Sequence, residues 1–266
     1  MTTSAIEALR VESGRARELF ASLSHDEWQA SSACTGWRVQ DVAQHMASVF
    51  HSIADPSSIE GGSSADVEEN AEVPVQARRT WTSQQVMDEY DEWSAKGIAA
   101  LSMMQEPGMA EMVIPLGNLG SHPMHLLGNA LVFDHYCHLR HDIGVVVPRA
   151  ADLPRDAEPL GATLEWMLAG LPQMCAQELG SCTQGINLQF TGAGGGRYVL
   201  TPSHGVWRLS EGSDASLPTA TGTVHDFISW GTKRADWRNH VVLSGEGADA
   251  NVTALAKDTL DAINII

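Results

Sequence analysis

The chain has 266 residues, of which 43% are hydrophobic, and its 33 acidic and 16 basic side chains give a formal net charge of −17. A field of that sign repels phosphate backbones and anionic lipid headgroups, so nucleic acid is not an expected partner. No apolar run approaches the roughly 20 residues that a helix needs to cross a bilayer, so we expect no membrane span.

The first residues show neither the basic nor the apolar region of a secretory signal, and we therefore expect a cytoplasmic protein. In that compartment, cysteines without CxxC spacing are expected to be buried thiols rather than disulfides or a zinc ribbon. The four cysteines are Cys34, Cys137, Cys175 and Cys182.

Helical periodicity begins at the N-terminus. Apolar residues at helical spacing predict an amphipathic helix over residues 4–30 and a second helix, with one strongly apolar face, between Gly36 and Asp55. Residues 56–76 are rich in Ser, Gly, Glu and Pro, which predicts a mobile loop, either a lid or an insertion.

Three further helices are predicted in the middle of the chain. Thr82 and Gln85 stand at capping-box spacing ahead of the third helix. A connection with Pro and Gly over 107–123 leads to a fourth helix at about 124–143, and a fifth follows at about 160–179.

After Gly180 the periodicity changes from helical to alternating, and short segments separated by turn residues predict strands. These segments are residues 186–190, 198–200, 206–209 and 241–243. Helices are predicted at about 226–232 and 251–263. We therefore predict two domains, a helical one over 1–182 and an α+β one over 183–266.

Two common sequence motifs are absent. The glycine cluster Gly192–Gly196 lacks the Lys-Ser/Thr ending of a phosphate-binding loop and is predicted to be a hairpin turn. No serine stands in a nucleophile-elbow sequence, so a serine hydrolase is poorly supported.

Ionisable residues interrupt the apolar stripe of the predicted fourth helix. Asp134 and His138, followed by His141 or Asp142, occupy positions that the periodicity turns inward. An unpaired buried carboxylate costs several kcal/mol, so Asp134 requires a cation or a hydrogen-bond partner. Because Asp134 and His138 are four residues apart, their side chains share one helical face and can bind the same atom.

His45, in the apolar stripe of the second helix, is the candidate third ligand. Two imidazoles and one carboxylate leave a coordination position open for water or a thiolate, as in catalytic zinc sites. In the other interpretation Asp134 and His138 only pair with each other, and the inward histidines are satisfied core residues. Spacing alone leaves both interpretations open.

The segment at 34–46, CTGWRVQDVAQHM, resembles the signature C-x-GW-x-v-x-D-v-x-x-H-l of the DinB-like mycothiol-dependent maleylpyruvate isomerase family. The resemblance implies that His45 is a metal ligand and that Asp134 and His138 match the family's later Glu-x-x-x-His pair. Asp134 is one methylene shorter than that Glu, and Asp142 follows His138 by four residues where the family has three.

The C-terminal region resembles the same family's second domain, a small sterol-carrier-like α+β module. The matching residues are TGAGGGRY at 191–198, ATGT at 220–223, DF at 226–227, WGTKR at 230–234 and LSG at 243–245. Arg234 matches an arginine of the family that would bind a substrate carboxylate across the domain junction. A surface arginine at a helix end or strand edge is the other interpretation.

The resemblance implies an N-terminal DinB-like up-down four-helix bundle with an extra helix, followed by a sterol-carrier-like domain. It also implies a small-molecule substrate and two cofactors, a divalent metal, expected to be zinc, and the thiol mycothiol. The thiolate would add to a conjugated cis double bond, permit rotation and leave, giving the trans isomer. A thiol S-transferase fits the same residues.

A function of a different class is also consistent with the sequence. In that alternative, the chain is a non-catalytic binding module for an apolar small molecule, and its metal site is structural. The sequence does not indicate an oligomeric state.

Overall fold

A computed structural model describes residues 3–59, 61–244 and 250–265 of the chain. Glu60 of the predicted loop and Gly245 of the C-terminal resemblance lie outside these residues. The chain forms two compact units, which we call the helical unit (Met1–Pro154) and the sheet unit (Arg155–Ile266). None of the described helices is both long and apolar enough to cross a membrane.

The helical unit contains seven described helices and one short strand pair. The helices are α1 (Thr3–Ser22), α2 (His25–Gln29), α3 (Val39–Ala54), α4 (Val67–Ala77), α5 (Ser83–Met103), α6 (Leu126–Cys137) and α7 (Pro148–Ala151). A π-helical segment, His138–Ile143, continues directly from α6. Strands β1 (Val113–Pro115) and β2 (Ser121–Pro123) pair antiparallel on either side of a 3₁₀ turn.

The core of the helical unit lies between α1, α3, α5 and α6. Its aromatic centre consists of Phe20, Phe50 and Tyr90, each at most 1% exposed. The ring of Tyr90 meets the other two edge-on or nearly so, at centroid distances of 5.4 and 5.8 Å. These contacts join α1, α3 and α5, and the Phe50 ring also lies 5.0 Å from the ring of His135 on α6.

The predicted second and third helices are confirmed as α3 and α5. At the start of α5 the capping box forms as predicted, because Gln85 N donates to Thr82 Oγ1 and Thr82 N donates to Gln85 Oε1. The prediction of one continuous helix over 4–30 is wrong. Ser24 starts the separate helix α2 with a capping box of its own, in which Glu27 N donates to Ser24 Oγ.

The prediction of a loop over 56–76 is wrong in its second half, where α4 forms. Asp66 accepts a hydrogen bond from Glu68 N and so caps the helix, and Glu68 and Glu69 place negative charge at the positive end of the helix dipole. Val75 is fully buried, so α4 also has an apolar anchor that the polar composition obscured.

Among its described residues, the sheet unit combines four α-helices with a five-stranded sheet. The helices are α8 (Ala157–Met174), α9 (Ala176–Leu179), α10 (Val224–Gly231) and α11 (Ala250–Asp261). The strands are β3 (Ile186–Thr191), β4 (Gly196–Ser203), β5 (Val206–Glu211), β6 (Thr219–Thr223) and β7 (Val242–Ser244). Their order is β5-β4-β3-β6-β7, with β3 and β6 parallel and the other neighbours antiparallel.

The hairpin predicted at the glycine cluster is confirmed between β3 and β4. Gly192 and Gly194 have φ angles of +79° and +69°, which glycine adopts without steric cost. Strand β6 was not predicted, because its sequence TATGT has one apolar residue, Ala220, and no clear alternation.

The division between the units falls at Pro154, earlier than the predicted boundary at 182. Helix α8 packs on α10 and β5 and therefore belongs to the sheet unit. Met167 of α8 is fully buried there, close to Gly231 of α10. The sequence placed the boundary where helical periodicity ends, whereas packing joins the last long helix to the strands that follow it.

Candidate metal centre

The structure brings the three predicted metal ligands together inside the helical unit. Helix α3 carries His45, α6 carries Asp134, and His138 is the first residue of the π-helical segment. Asp134 Oδ1 lies 3.1 Å from His45 Nε2 and 3.3 Å from His138 Nε2. A donor atom from each residue lies within 4.8 Å of the other two, which is close enough for one ion to contact all three.

Two buried polar atoms at this cluster lack hydrogen-bond partners among the described residues. They are the second carboxylate oxygen of Asp134, Oδ2, and the second ring nitrogen of His45, Nδ1. A buried polar atom without a partner costs free energy. The donor set is therefore incomplete as it stands, and its chemistry of two imidazoles and one carboxylate fits a divalent ion.

The electrostatics of the cluster centre on Asp134. Burial alone would raise the pKa of Asp134, but the attraction of His138 and His45 outweighs it and holds this pKa well below its usual range. Burial would likewise lower the pKa of His138, yet the charge of Asp134 and the hydrogen bonds to it and to Asp142 raise this pKa well above its usual value. A proton on His138 thus balances the carboxylate, and a metal ion would replace it.

Asp142 holds the other side of the His138 ring. His138 Nδ1 donates to Asp142 Oδ2 at 2.7 Å, and the Asp142 side chain is 1% exposed. Ala33 N donates to the backbone oxygen of Asp142 at 3.1 Å. Because Nδ1 is engaged in this way, Nε2 is the nitrogen that faces Asp134.

A second group of possible ligands consists of Cys34, His138 and Asp142. In this group His138 and Asp142 already satisfy each other directly, and Cys34 Sγ lies 3.9 Å from His138 Nδ1. The group that contains His45 has the unpartnered carboxylate oxygen instead. The geometry therefore favours His45, Asp134 and His138 as ligands and gives Asp142 an orienting role.

The π-helical turn explains how the four-residue spacing from His138 to Asp142 is accommodated. A π turn holds one residue more than an α turn, and such turns are frequent at functional sites. Arg140 anchors this turn through a buried ion pair, with Nη1 2.8 Å from Glu12 Oε2 and Nη2 3.1 Å from Glu12 Oε1. The periodicity predicted a plain helix over this segment, where the structure has a π turn.

The signature segment at 34–46 builds the start of α3. Gly36 has a φ of +81°, in the left-handed region that favours glycine. The guanidinium of Arg38 donates to both carboxylate oxygens of Asp41 at 2.8 and 3.0 Å, and the Arg38 backbone N–H also donates to Asp41. These residues set the position of α3 and hence of His45.

Trp37 and Glu72 were missed as neighbours of the site. The Trp37 ring lies 5.4 Å from the His45 ring, and Trp37 Nε1 donates to Glu72 Oε2 at 2.6 Å. Glu72 lies on α4, in the stretch predicted to be a loop, so no sequence signal pointed to it. Cys34, expected to be an ordinary packed thiol, is half-buried and near His138.

Arg234, the predicted carboxylate-binding residue, lies in the sheet unit just after α10. Its side chain is exposed, and its backbone N–H donates to Ser229 O at 2.9 Å. This position at a helix end leaves both interpretations of Arg234 open.

Comparison with known protein families gives a match to part of the chain. Residues 9–106 match the family described as the mycothiol maleylpyruvate isomerase N-terminal domain. No curated protein sequence gives a significant match.

Two solved structures share the fold of the chain. The crystal structure of the mycothiol-dependent maleylpyruvate isomerase is 14% identical, covers 94% of this chain and 98% of its own, and superposes with a TM-score of 0.55. A histidine-to-alanine mutant of that enzyme has the same identity and coverage, with a TM-score of 0.51. Residues 9–106 therefore resemble that N-terminal domain, and the two solved structures show that the chain shares their fold.

Proposed function

We propose that this protein is a mycothiol-dependent isomerase of maleylpyruvate-like keto acids, with a divalent metal, expected to be zinc, at His45, Asp134 and His138. The observation that carries the proposal is the convergence of donor atoms from His45, Asp134 and His138, together with the second carboxylate oxygen of Asp134, which is buried and has no hydrogen-bond partner among the described residues. We assign the helical unit as a DinB-like bundle and the sheet unit as a sterol-carrier-like domain, in line with the sequence resemblance.

The charge of the proposed ligand set suits a thiolate. Two neutral imidazoles and one carboxylate carry a charge of about −1, so a divalent ion bound to them retains about +1. Bound there, the metal would hold the sulfur of the thiol and lower its pKa, so that thiolate is present at neutral pH. One bound thiolate then brings the centre close to neutrality, which favours an anionic ligand in a half-buried site.

The side chains around the ligands support this assignment. Asp142 keeps a proton on His138 Nδ1, which leaves Nε2 free to act as a ligand. Trp37 packs beside the His45 ring and limits the water around it. The chain thus supplies a ligand set whose orientation does not depend on the metal.

Metal content is the first test. His45→Ala and His138→Ala should each purify with far less than one equivalent of metal, since the loss of one of three ligands removes most of the affinity. His25→Ala, which removes an exposed histidine at the start of α2, is the matched control and should retain the wild-type content. Full metal occupancy in both ligand variants would overturn the assignment of the site.

Thiol binding tests the enzyme itself. With zinc present, mycothiol at about 100 times its dissociation constant should add roughly 2.7 kcal/mol of stability, seen as a rise in melting temperature, whereas glutathione should not. Conversion of the cis to the trans keto acid should require mycothiol. No shift with mycothiol, together with a rise on adding apolar ligands, would support the non-catalytic binding module instead. Accumulation of an S-conjugate in place of the trans acid would indicate an S-transferase.

A further inference from the structure

A second cluster of reactive side chains lies at the C-terminal end of α3, separate from the three proposed metal ligands. His51, in the last turn of α3, has Nδ1 2.9 Å from Glu89 Oε1 on α5. On the other side of its ring, Nε2 lies 2.7 Å from Ser58 Oγ, in the turn that follows α3. His51 and Glu89 are buried, and Ser58 is exposed.

This connectivity is that of a Ser-His-acid triad. An ionised carboxylate can only accept a hydrogen bond, so His51 Nδ1 donates to Glu89 Oε1. In the neutral imidazole the lone pair of Nε2 then faces the Ser58 hydroxyl. The same order, hydroxyl to Nε2 and Nδ1 to carboxylate, activates serine nucleophiles on unrelated folds. We propose that Ser58, His51 and Glu89 form a second, metal-independent catalytic site that accepts acyl groups from small, uncharged activated esters.

Two neighbouring side chains hold the base and the acid in place. Arg78 Nε donates to Glu89 Oε2 at 2.9 Å and Arg78 Nη2 to Glu89 Oε1 at 3.0 Å, which fixes the orientation of the carboxylate. The Trp93 ring stacks on His51 at 3.7 Å, with 11° between the planes. Of the triad, only the nucleophile is therefore open to solvent.

Arg78 also limits the rate acceleration that the proposed triad can reach. Its positive charge offsets part of the negative charge with which Glu89 would stabilise a protonated His51. We therefore expect an acceleration at the lower end of the range for general-base catalysis, about hundredfold.

The adjacent Ser57 provides an internal comparison. It is also exposed, but Ser57 Oγ donates to Asp55 Oδ1 at 2.7 Å and contacts no imidazole within the described part of the chain. The Ser58 hydroxyl can also donate to Asp55 O, at 3.1 Å, which is a longer contact than the 2.7 Å to His51 Nε2. The two serines thus share a turn and differ in their contact with His51, which the sequence alone did not predict because no nucleophile elbow surrounds Ser58.

The proposed reaction is acyl transfer to Ser58 followed by hydrolysis. Ser58 Oγ attacks the ester carbonyl carbon, and the Ser58 proton passes to His51 Nε2. The bond between the carbonyl carbon and the oxygen of the phenol or alcohol then breaks, and His51 returns the proton to that leaving oxygen. Water then adds to the acyl-serine with His51 again as the base, and the carboxylic acid and free Ser58 are released. No oxidant, reductant or metal takes part.

The test is acylation of the full chain by p-nitrophenyl acetate after treatment with a metal chelator, quenched in acid and mapped by peptide mass spectrometry. We expect acetylation of Ser58 at least tenfold faster than of Ser57. Ser58→Ala should abolish the fast release of p-nitrophenol, and Ser57→Ala should leave it unchanged. Equal acetylation of both serines, no acetylation of Ser58, or fast release in Ser58→Ala would each overturn the proposal.

A variant of the base adds a second arm to the test. His51→Gln should reduce acetylation of Ser58 to the rate of Ser57, and circular dichroism checks that this variant is folded. If it unfolds, the comparison of the two serines in the wild-type protein decides the question alone. Acetylation that disappears when the chelator is added would assign the activity to the metal centre and also overturn the proposal.

Discussion

At the scale of single residues, the two nitrogens of His138 have different partners. Nδ1 donates to the buried carboxylate of Asp142, whereas Nε2 faces Asp134. A hydrogen bond from the nitrogen that does not bind metal fixes the tautomer and the ring orientation and increases the basicity of the ligand. Asp142 is therefore expected to act on metal affinity without touching the ion.

Substitution of Asp142 separates its charge from its hydrogen bond. Asp142→Ala removes both and should weaken metal binding by about 10- to 100-fold, while Asp142→Asn keeps an acceptor for His138 Nδ1 and should lose less. A chelator-competition titration measures both values. Asp88→Asn, on the exposed face of α5, is the control and should bind metal like the wild type. If Asp142→Ala retained wild-type affinity, the orienting role would be wrong.

Arg234 is the second residue with a testable role. Its planar guanidinium suits the carboxylate of a keto acid, and a chain with a net charge of −17 needs local positive charge to hold an anion. Arg234→Ala should weaken binding of the acidic substrate by about 1.5–3 kcal/mol, measured as an increase in KM, with normal metal content. The control is Arg208→Ala, at an exposed position of β5. Equal kinetics for both variants would make Arg234 an ordinary surface residue.

At the scale of elements, the approach of α3 to α5 depends on one glycine. A Cβ at Gly97 of α5 would lie 2.6 Å from Phe50 Cδ1 and 3.0 Å from Phe50 O, and Phe50 is fully buried. A backbone oxygen and a buried ring have little room to move. The close approach places α5 against the helix that carries both His45 and His51.

Alanine at Gly97 should therefore destabilise the protein by about 1–3 kcal/mol, although alanine is the better helix former. Gly14 of α1 provides the matched control, because it is exposed and a Cβ there would meet nothing within 4 Å. Gly14→Ala should stabilise by about 0.4–1 kcal/mol. Urea unfolding measures both changes. If Gly97→Ala stabilised the protein as Gly14→Ala does, α3 and α5 could move apart at little cost, and the prediction would be wrong.

Sequence reasoning succeeded where one local signal sufficed. Periodicity and a capping box identified α3 and α5. The i,i+4 spacing of Asp134 and His138 predicted that they share one helical face, and Asp134 Oδ1 does lie 3.3 Å from His138 Nε2, while their binding of a metal stays a prediction. It failed where structure depends on tertiary contacts. Helix α4 relies on a few buried residues within a polar stretch, and the contacts of His51 with Ser58 and Glu89 join α3 to the turn after it and to α5. Neither leaves a pattern along the chain.

At the scale of the whole molecule, acidic side chains outnumber basic ones by 33 to 16. The excess carboxylates repel one another in the folded state, and this repulsion lowers the stability of the protein. Exposed ion pairs such as Glu92–Lys96 oppose this repulsion only weakly, since each contributes about 0–1 kcal/mol. The buried pairs Glu12–Arg140 and Glu89–Arg78 contribute locally and are little screened by salt.

Salt should therefore stabilise this protein at neutral pH. Raising the ionic strength from about 0.01 to 0.15 M shortens the screening length from roughly 30 to 8 Å, which weakens repulsion between distant carboxylates more than it weakens buried pairs. The melting temperature should rise with sodium chloride at pH 7.5, and the rise should shrink near pH 5, because the isoelectric point is about 4.9. The measurement at pH 5 is the control for salt effects unrelated to net charge. A melting temperature that falls with salt at pH 7.5 would mean that surface ion pairs outweigh the repulsion of the excess carboxylates.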